Sequence, residues 1–326
     1  MTETSQEDKC KYETKCSRIA NFWRKVTRYF SPKLPIELFI LSIRITFAML
    51  AATFRFIIPP SMKNLLGETV LISGAGHGIG RELALQLAAL GCIVVCWDND
   101  VEANKLTLSK ILTNGGEAYA FVVDVSKRLE VRETLRIMRK SGISDISILI
   151  NNAAILLHRP FLEHYSDDIE KIFNVNVLSN FWTIQSCLPS MLQNGKGHIV
   201  SLCSMCGLYG FLNKVPYYSS KYAIKGLMEG LKEEIKMDAR KPKIHFTTIY
   251  PFYVIDNGLP KDSKYRFPYL FGAVSPEFAA QEIIKAIRRN YNEYSIPRSL
   301  VYLDTINRVI PLSVKNLIMD FLTNIR

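Results

Sequence analysis

The chain has 326 residues, 48% of them hydrophobic and 22% charged, with a formal net charge of +11. That length and balance fit one large α/β domain with additions and exclude a disordered or repeat-built protein, since no low-complexity tract and no repeat of about twenty to fifty residues is present. Seven cysteines, an odd number spread from Cys10 to Cys206, and the absence of an Asn-x-Ser/Thr acceptor argue against a secreted disulfide framework and for a reducing, cytosol-facing setting.

The positive charge sits at the ends. Residues 1–33 carry Lys9, Lys11, Lys15, Arg18, Arg24, Lys25, Arg28 and Lys33 against four acids, and residues 285–326 carry seven basic side chains against Glu293, Asp304 and Asp320. No RNA- or DNA-binding motif accompanies them, so nucleic acid is not an expected partner; near an anionic leaflet each Lys or Arg adds about 1 kcal/mol of attraction. Next comes LPIELFILSIRITFAMLAATFRFIIPP, residues 34–60, about as long as a bilayer-spanning helix requires. Arg44 and Arg55 interrupt it, and a mid-membrane arginine costs about 2.5–3.5 kcal/mol on insertion scales, so tilted, hairpin and interfacial placements compete with clean spanning. The segment reads as an anchor rather than a cleaved signal, which would begin nearer the start and end at a small-residue cleavage site, whereas Pro59-Pro60 follows here. A buried helix packed on the following domain is the bland alternative.

From residue 68 short apolar runs alternate with helical patterns: TVLIS, CIVVCW, AYAFVV, ISILI, GHIVSL and IHFTTIY. Near-continuous apolar runs suit parallel strands buried on both faces, and GRELALQLAALG and PEFAAQEIIKAIRRN show the three-to-four spacing of amphipathic helices. The expected fold is a single-domain, doubly wound α/β parallel sheet of six strands. The first strand runs into SGAGHGIG, residues 73–80, placing Gly74, Gly78 and Gly80 at a strand-to-helix turn. Glycine permits the tight turn and close backbone approach, and the helix N-terminus offers free N–H groups to a pyrophosphate; Ser73, His77 and Ile79 share the turn. The second strand ends in VVCWDND, where Asp98 is placed to accept from both ribose hydroxyls and to repel a 2′-phosphate, favouring NAD over NADP. Asp100 is the weaker candidate, with a helix N-cap as its bland role, and His77 is read as a loop residue before an NADP contact.

CSMCGLYGFLNKVPYYSSK, residues 203–221, holds two chemistries at once. Cys203 and Cys206 form a C-x-x-C pair, while Ser204, Tyr217 and Lys221 suit a proton-transfer chain. No second C-x-x-C and no nearby His pair completes a zinc site, so the cysteines read as packing residues and no metal is expected. Tyr217 and Lys221 are four apart on one helix face, and a cation there favours phenolate, as a tyrosine acting as base near neutrality requires. Ser204 would hydrogen-bond the substrate oxygen. Tyr218 also lies one turn from Lys221 and is read as packing.

SGAGHGIG, NNAA, VNVLSNFW, GHIVSLCS and YYSSK, in this order, resemble the short-chain dehydrogenase/reductase family, in particular its membrane-associated branch of retinol and 17-beta-hydroxysteroid dehydrogenases, over residues 66 to about 300. The anchor and LVYLDTINRVIPLSVKNLIMDFL are similar to that branch as well. The resemblance implies a Rossmann fold, a nicotinamide cofactor and a catalytic tetrad of Asn176, Ser204, Tyr217 and Lys221, with Lys221 also holding the cofactor ribose and Asn176 sustaining a water-mediated proton path. It further implies that Asp124 and Val125 contact adenine, that Asn151, Asn152 and Ala153 wall the cofactor, and that Pro251 and Val254 belong to the cofactor-binding residues. Three positions depart from the pattern: Ala154 and Phe252 stand for glycines, and Asp256 stands for a threonine that normally meets the carboxamide or a phosphate.

The loop PFYVIDNGLPKDSKYRFPYLFG carries Phe252, Tyr253, Tyr265, Phe267, Tyr269 and Phe271, aromatics that suit either stapling the loop down or, together with an anchor that keeps the site beside lipid, a lid over a lipophilic alcohol or ketone. The expected organisation is a basic segment (1–33), an anchor (34–60), the dehydrogenase domain (66–300) and an amphipathic C-terminal segment (301–326). The expected function is oxidoreduction of a retinol, steroid or fatty alcohol at an endoplasmic reticulum or lipid-droplet surface, with the domain facing the cytosol. A homodimer is left open, and a catalytically weak membrane-surface scaffold is the alternative.

Overall fold

The computed structural model describes residues 33–209, 212–254 and 273–301, together with isolated positions outside those spans. It divides into two compact units, Met1–Pro60 and Ser61–Arg326. In the first, helix α1 (Leu34–Ile57) starts with proline in its first turn, where the missing N–H costs nothing. Its Phe39, Phe47 and Met49 side chains are exposed, and no part of Leu34–Ala51 is buried. The hydroxyls of Ser42, Thr46 and Thr53 donate to carbonyls three or four residues back.

In the second unit, strands and helices alternate: β1 (Thr69–Ser73), α2 (Gly78–Ala89), β2 (Ile93–Asp98), α3 (Val101–Thr113), β3 (Glu117–Val122), α4 (Arg128–Lys140) and β4 (Ile148–Asn151). There follow α5 (Ser166–Phe173), α6 (Ser179–Gln193), β5 (Lys196–Leu202), α7 (Val215–Lys236), β6 (Lys243–Pro251), α8 (Pro276–Arg288) and β7 (Glu293–Ile296). All described strands pair in parallel in the order β3-β2-β1-β4-β5-β6-β7. The chain winds outward from β1 in one direction and from β4 in the other, so a crevice opens between the C-terminal ends of these two strands.

Strand alternation builds a core on each face of the sheet. Val70, Ile72, Ile150 and Val200 pack under α2 and α8, through Leu83, Leu87, Ile283 and Ile287. Leu71, Leu149 and Ile199 face Ile184, Ile224 and Met228 of α6 and α7. The expected doubly wound parallel sheet is present, with one strand more than the six apolar runs suggested. Strand β7 is four residues long and begins with an exposed glutamate, too short and too polar to show periodicity; it exists because β6 offers Thr248 through Pro251 as partners.

The C-terminal segment is described only at isolated positions, and Asp256, Tyr265, Phe267, Tyr269 and Phe271 lie outside the described residues, as do nearly all of residues 1–32.

Candidate active site

Ser73 closes β1, and the backbone then turns through Gly74 (φ 69°) and Gly78 (φ 48°) into α2. A side chain at Gly80 would bring its Cβ to 1.9 Å from the Gly74 carbonyl, whereas one at Gly78 would meet nothing within 4 Å. Gly80 therefore permits close packing of helix on turn, and Gly78 leaves an open approach to the helix end. No side chain caps α2, since its N-cap His77 makes no capping hydrogen bond. Open first-turn N–H groups and a bare backbone suit an anion such as a pyrophosphate. Ile79 packs inward against the core.

The turn is clamped to β4 by Asn152. Its Nδ2 donates to the Ser73 and Gly74 carbonyls at 3.0 and 2.9 Å, and the Asn152 and Ala153 N–H groups donate to Ser73 Oγ at 3.1 and 3.2 Å. On the other flank Asp98 accepts from the Gly76 N–H at 2.7 Å and the Asp100 N–H at 2.9 Å. Asp100 caps α3 by accepting from the Ala103 N–H at 3.0 Å, its bland reading. The largely exposed His77 imidazole stands 3.6 Å from the Asp100 carboxylate, at the mouth of the turn.

Beyond β3, Asp124 accepts from the Ser126 N–H and hydroxyl at 3.0 and 2.6 Å, beside the buried Val125. Burial acts to raise the Asp124 carboxyl, but the Ser126 hydrogen bonds and Lys127 outweigh it and hold it below the usual range. Asn151 accepts from Thr183 of α6 at 2.8 Å, and its buried Nδ2 has no partner among the described residues.

Helix α7 carries Tyr217 and Lys221 on adjoining turns, with the ammonium 5.4 Å from the centre of the phenol ring. Lys221 is buried and donates to the Leu202 carbonyl at 2.9 Å, which fixes the helix against the end of β5. Ser204 follows that strand end, and its Oγ accepts from the Cys206 N–H at 3.1 Å. Burial pushes the Tyr217 phenol upward, with Cys206 adding to the effect and a hydrogen bond with Ser204 opposing it. Burial likewise lowers the Lys221 ammonium. In this environment proximity to the lysine does not by itself bring the phenol down, so the lowering expected from helix spacing is overridden by desolvation.

Asn176 lies in a π-helical turn, Asn174–Leu178, that links α5 to α6. Its side chain binds the Ile155 backbone twice, accepting at 2.8 Å and donating at 3.0 Å, and donates to Ser220 Oγ at 3.1 Å. Ser220 Oγ in turn donates to the Tyr217 carbonyl at 2.6 Å. Sequence reading did not single out Ser220 or Ile155; a serine inside YYSSK carries no local sign of which helix it meets. Tyr218 stacks at a tilt on Tyr222, ring centres 4.7 Å apart, as a packing residue would. Cys203 donates to the Lys221 carbonyl, and burial pushes its thiol up to about 12; Cys206 is also buried and raised. Buried thiols of this kind are poor nucleophiles.

Pro251 ends β6, Phe252 donates its N–H to Ile296 at 2.9 Å, and Val254 bridges Val274 in parallel. Lys214 lies over the Tyr253 ring at 5.7 Å, joining the segment before α7 to the start of the aromatic loop.

Residues 68–258 match the short chain dehydrogenase family model. The chain is 35% identical to epidermal retinol dehydrogenase 2 of Mus musculus, over 84% of this chain and 88% of that protein. It is 33% identical to 17-beta-hydroxysteroid dehydrogenase 13 of Homo sapiens, over 80% of this chain and 85% of that protein. Among solved structures, a short-chain dehydrogenase/reductase from Burkholderia phymatum in complex with NAD superposes with a TM-score of 0.66 at 22% identity, covering 76% of this chain and 95% of its own, a likeness of fold.

Proposed function

The chain belongs to the short-chain dehydrogenase family and is an NAD(P)-dependent alcohol/carbonyl oxidoreductase, and we propose that it interconverts a lipophilic alcohol of the retinol, steroid or fatty alcohol class and its carbonyl at a membrane or lipid-droplet surface. The observation that carries the reaction is the gathering of half-buried Tyr217 on α7 with buried Lys221 and Ser204 at the end of β5, beside the crevice between β1 and β4. The substrate class rests on the retinol and 17-beta-hydroxysteroid relatives and on the aromatic composition of the loop after β6.

Residues on both sides of the crevice fit a dinucleotide. The α2 N-terminus with Gly74, Gly78 and Gly80 would take the pyrophosphate, Asp98 the adenosine ribose, Asp124 and Val125 the adenine, and Asn151, Ala153, Pro251 and Val254 the wall toward the nicotinamide. The buried amide of Asn151, without a partner among the described residues, and the open flank of Gly78 are the features that match such a ligand. Asp98 favours NAD. A bound nicotinamide supplies the hydride acceptor or donor.

The protein's own residues manage the proton. In the oxidative direction Tyr217 Oη takes the proton of the substrate hydroxyl as hydride leaves the carbon, and in the reductive direction it returns one. Ser204 Oγ–H holds the substrate oxygen and stabilises the charge that develops on it. Lys221 sits under the phenol ring and favours its anionic form against the burial that opposes it. Asn176 fixes the position of α7 through Ser220, and would sustain a water-mediated proton path.

The test is turnover by the full-length protein in vesicles, with retinol, steroid and fatty alcohol panels and each of NAD and NADP. Cofactor binding without turnover of any member would replace this reading with a membrane-surface scaffold.

A further inference from the structure

Four hydrogen bonds run unbroken through the interior from the strand that precedes Ser204 to the backbone of Tyr217. Ser201 Oγ of β5 donates to Asn180 Oδ1 of α6 at 3.0 Å, and Asn180 Nδ2 donates to the Asn176 carbonyl at 2.9 Å. Asn176 Nδ2 then donates to Ser220 Oγ of α7, and that hydroxyl donates to the Tyr217 carbonyl. Ser201, Asn180, Asn176 and Ser220 are all buried. Ser201 shares a face of β5 with Ile199 and Cys203, which belong to the apolar core under α6 and α7. Stability alone does not call for such a chain, since apolar groups of the same shape can replace buried hydrogen-bonded pairs at little or no cost. A fully satisfied network supplies something else, one fixed arrangement of the groups it joins.

The middle link falls at a break in helical register. In the π-helical turn the Ser179 N–H reaches back five residues to the Asn174 carbonyl, and single π-turns inside helices recur at functional sites. One turn further along α6, Thr183 Oγ1 donates to Asn151 Oδ1 at 2.8 Å, and Asn151 of β4 is the register partner of Ser201. Thr183 ties helix to strand, whereas Asn180 ties helix, strand and π-turn together. We infer that Asn180 is a positioning residue for the proposed reaction: it sets Ser204, just past the end of β5, against Asn176 and, through Ser220, against Tyr217. The inference rests on the reading of Tyr217 and Ser204 as the groups that handle the substrate oxygen and its proton. Lys221 holds the same strand end through the Leu202 carbonyl, so losing Asn180 loosens the alignment without releasing β5.

The test uses full-length protein in vesicles with the alcohol of the panel that it turns over fastest. Asn180→Asp keeps an acceptor for Ser201 but can donate to the Asn176 carbonyl only while its carboxyl is protonated, and burial raises such a carboxyl above its usual value of about 3.9. Its kcat should fall about tenfold or more at pH 8, with KM and the NAD Kd within about twofold of wild type. Relative to wild type at each pH, that kcat should recover as the pH is lowered to 6, whereas Asn180→Ala, which donates at no pH, should stay low throughout. Ser201→Ala should lower kcat in the same sense. Combined with Ser220→Ala it should be no slower than the worse single variant, because both cut one chain. An Asn180→Asp variant that keeps its kcat, or whose loss is equal at pH 6 and pH 8, overturns the positioning role and leaves the proposed reaction standing. So do losses from Ser201→Ala and Ser220→Ala that multiply in the double variant. A wild type that binds NAD and turns over no alcohol of the panel overturns the reaction, and this role with it.

Discussion

Asn176 donates to the hydroxyl of Ser220 at 3.1 Å, and that hydroxyl donates onward to the carbonyl of Tyr217. The π-helical turn before α6 is thereby tied to the backbone of the residue proposed as the acid–base group. Ser220→Ala strands one of the two N–H donors of the buried Asn176 amide, the other still reaching the Ile155 carbonyl, which should cost about 1–3 kcal/mol of stability by urea unfolding. With α7 less firmly held, kcat should fall more than KM changes. An unchanged kcat in a variant destabilised by that amount would assign Ser220 to stability alone.

Tyr217→Phe keeps the ring over Lys221 and removes the transferable proton. Turnover should drop by about 10²-fold or more with cofactor affinity retained, because the loss is in the proton step. Lys221→Met should weaken cofactor binding as well. Tyr218→Phe, and Cys203→Ala combined with Cys206→Ala, should keep most activity. A near-wild-type rate for Tyr217→Phe would sink the assignment.

Asp98 holds the glycine turn through Gly76 and also stands where an adenosine ribose would meet a carboxylate. Asp98→Ser should relax the preference toward NADP while weakening NAD, since both the charge and the acceptor for Gly76 are lost. Asp98→Asn retains an acceptor and should shift the NAD to NADP ratio with a smaller loss of overall affinity. Kd values from quenching of protein fluorescence report both effects. A tenfold or greater preference of the wild type for NADPH contradicts the role given to Asp98.

Lys63 donates to His198 Nδ1 at 2.9 Å, so His198 carries its proton on Nε2, directed at Thr247 Oγ1 2.8 Å away, and Thr247 donates to the Tyr291 carbonyl. Burial, then Lys63, then His245 hold the His198 imidazole well below its ordinary range. The folded value is depressed, so the stabilisation is complete above the unfolded value of about 6.5 and is lost as pH falls toward the folded one, because the unfolded chain takes up a proton that the folded chain refuses. His245 is lowered in the same sense and adds to the slope. His198→Gln offers an acceptor and a donor without titrating, so the fall in urea midpoint between pH 7.5 and 5.5 should be shallower than in the wild type. Parallel slopes would exclude His198 as the source.

The parts of this protein visible in its sequence are those built by contiguous residues. SGAGHGIG declares a strand-to-helix turn because glycine backbones and a following amphipathic period are local properties, and Tyr217 and Lys221 declare a shared helix face because four residues make about one turn. The apolar runs declared parallel strands for the same reason, although β3, at the sheet edge, is not buried on both faces as its apolar run suggested. Tertiary structure decided whatever depends on distant segments: the pairing of short, polar β7 with β6, the Asn152 clamp on a turn 78 residues away in sequence, and the link from Asn176 across 44 residues to Ser220. It also decided the electrostatics of the site. Lysine beside tyrosine reads in the sequence as a device that lowers a phenol, but desolvation scales with how completely the sheet and helices enclose a group, and here enclosure drives Tyr217 the other way.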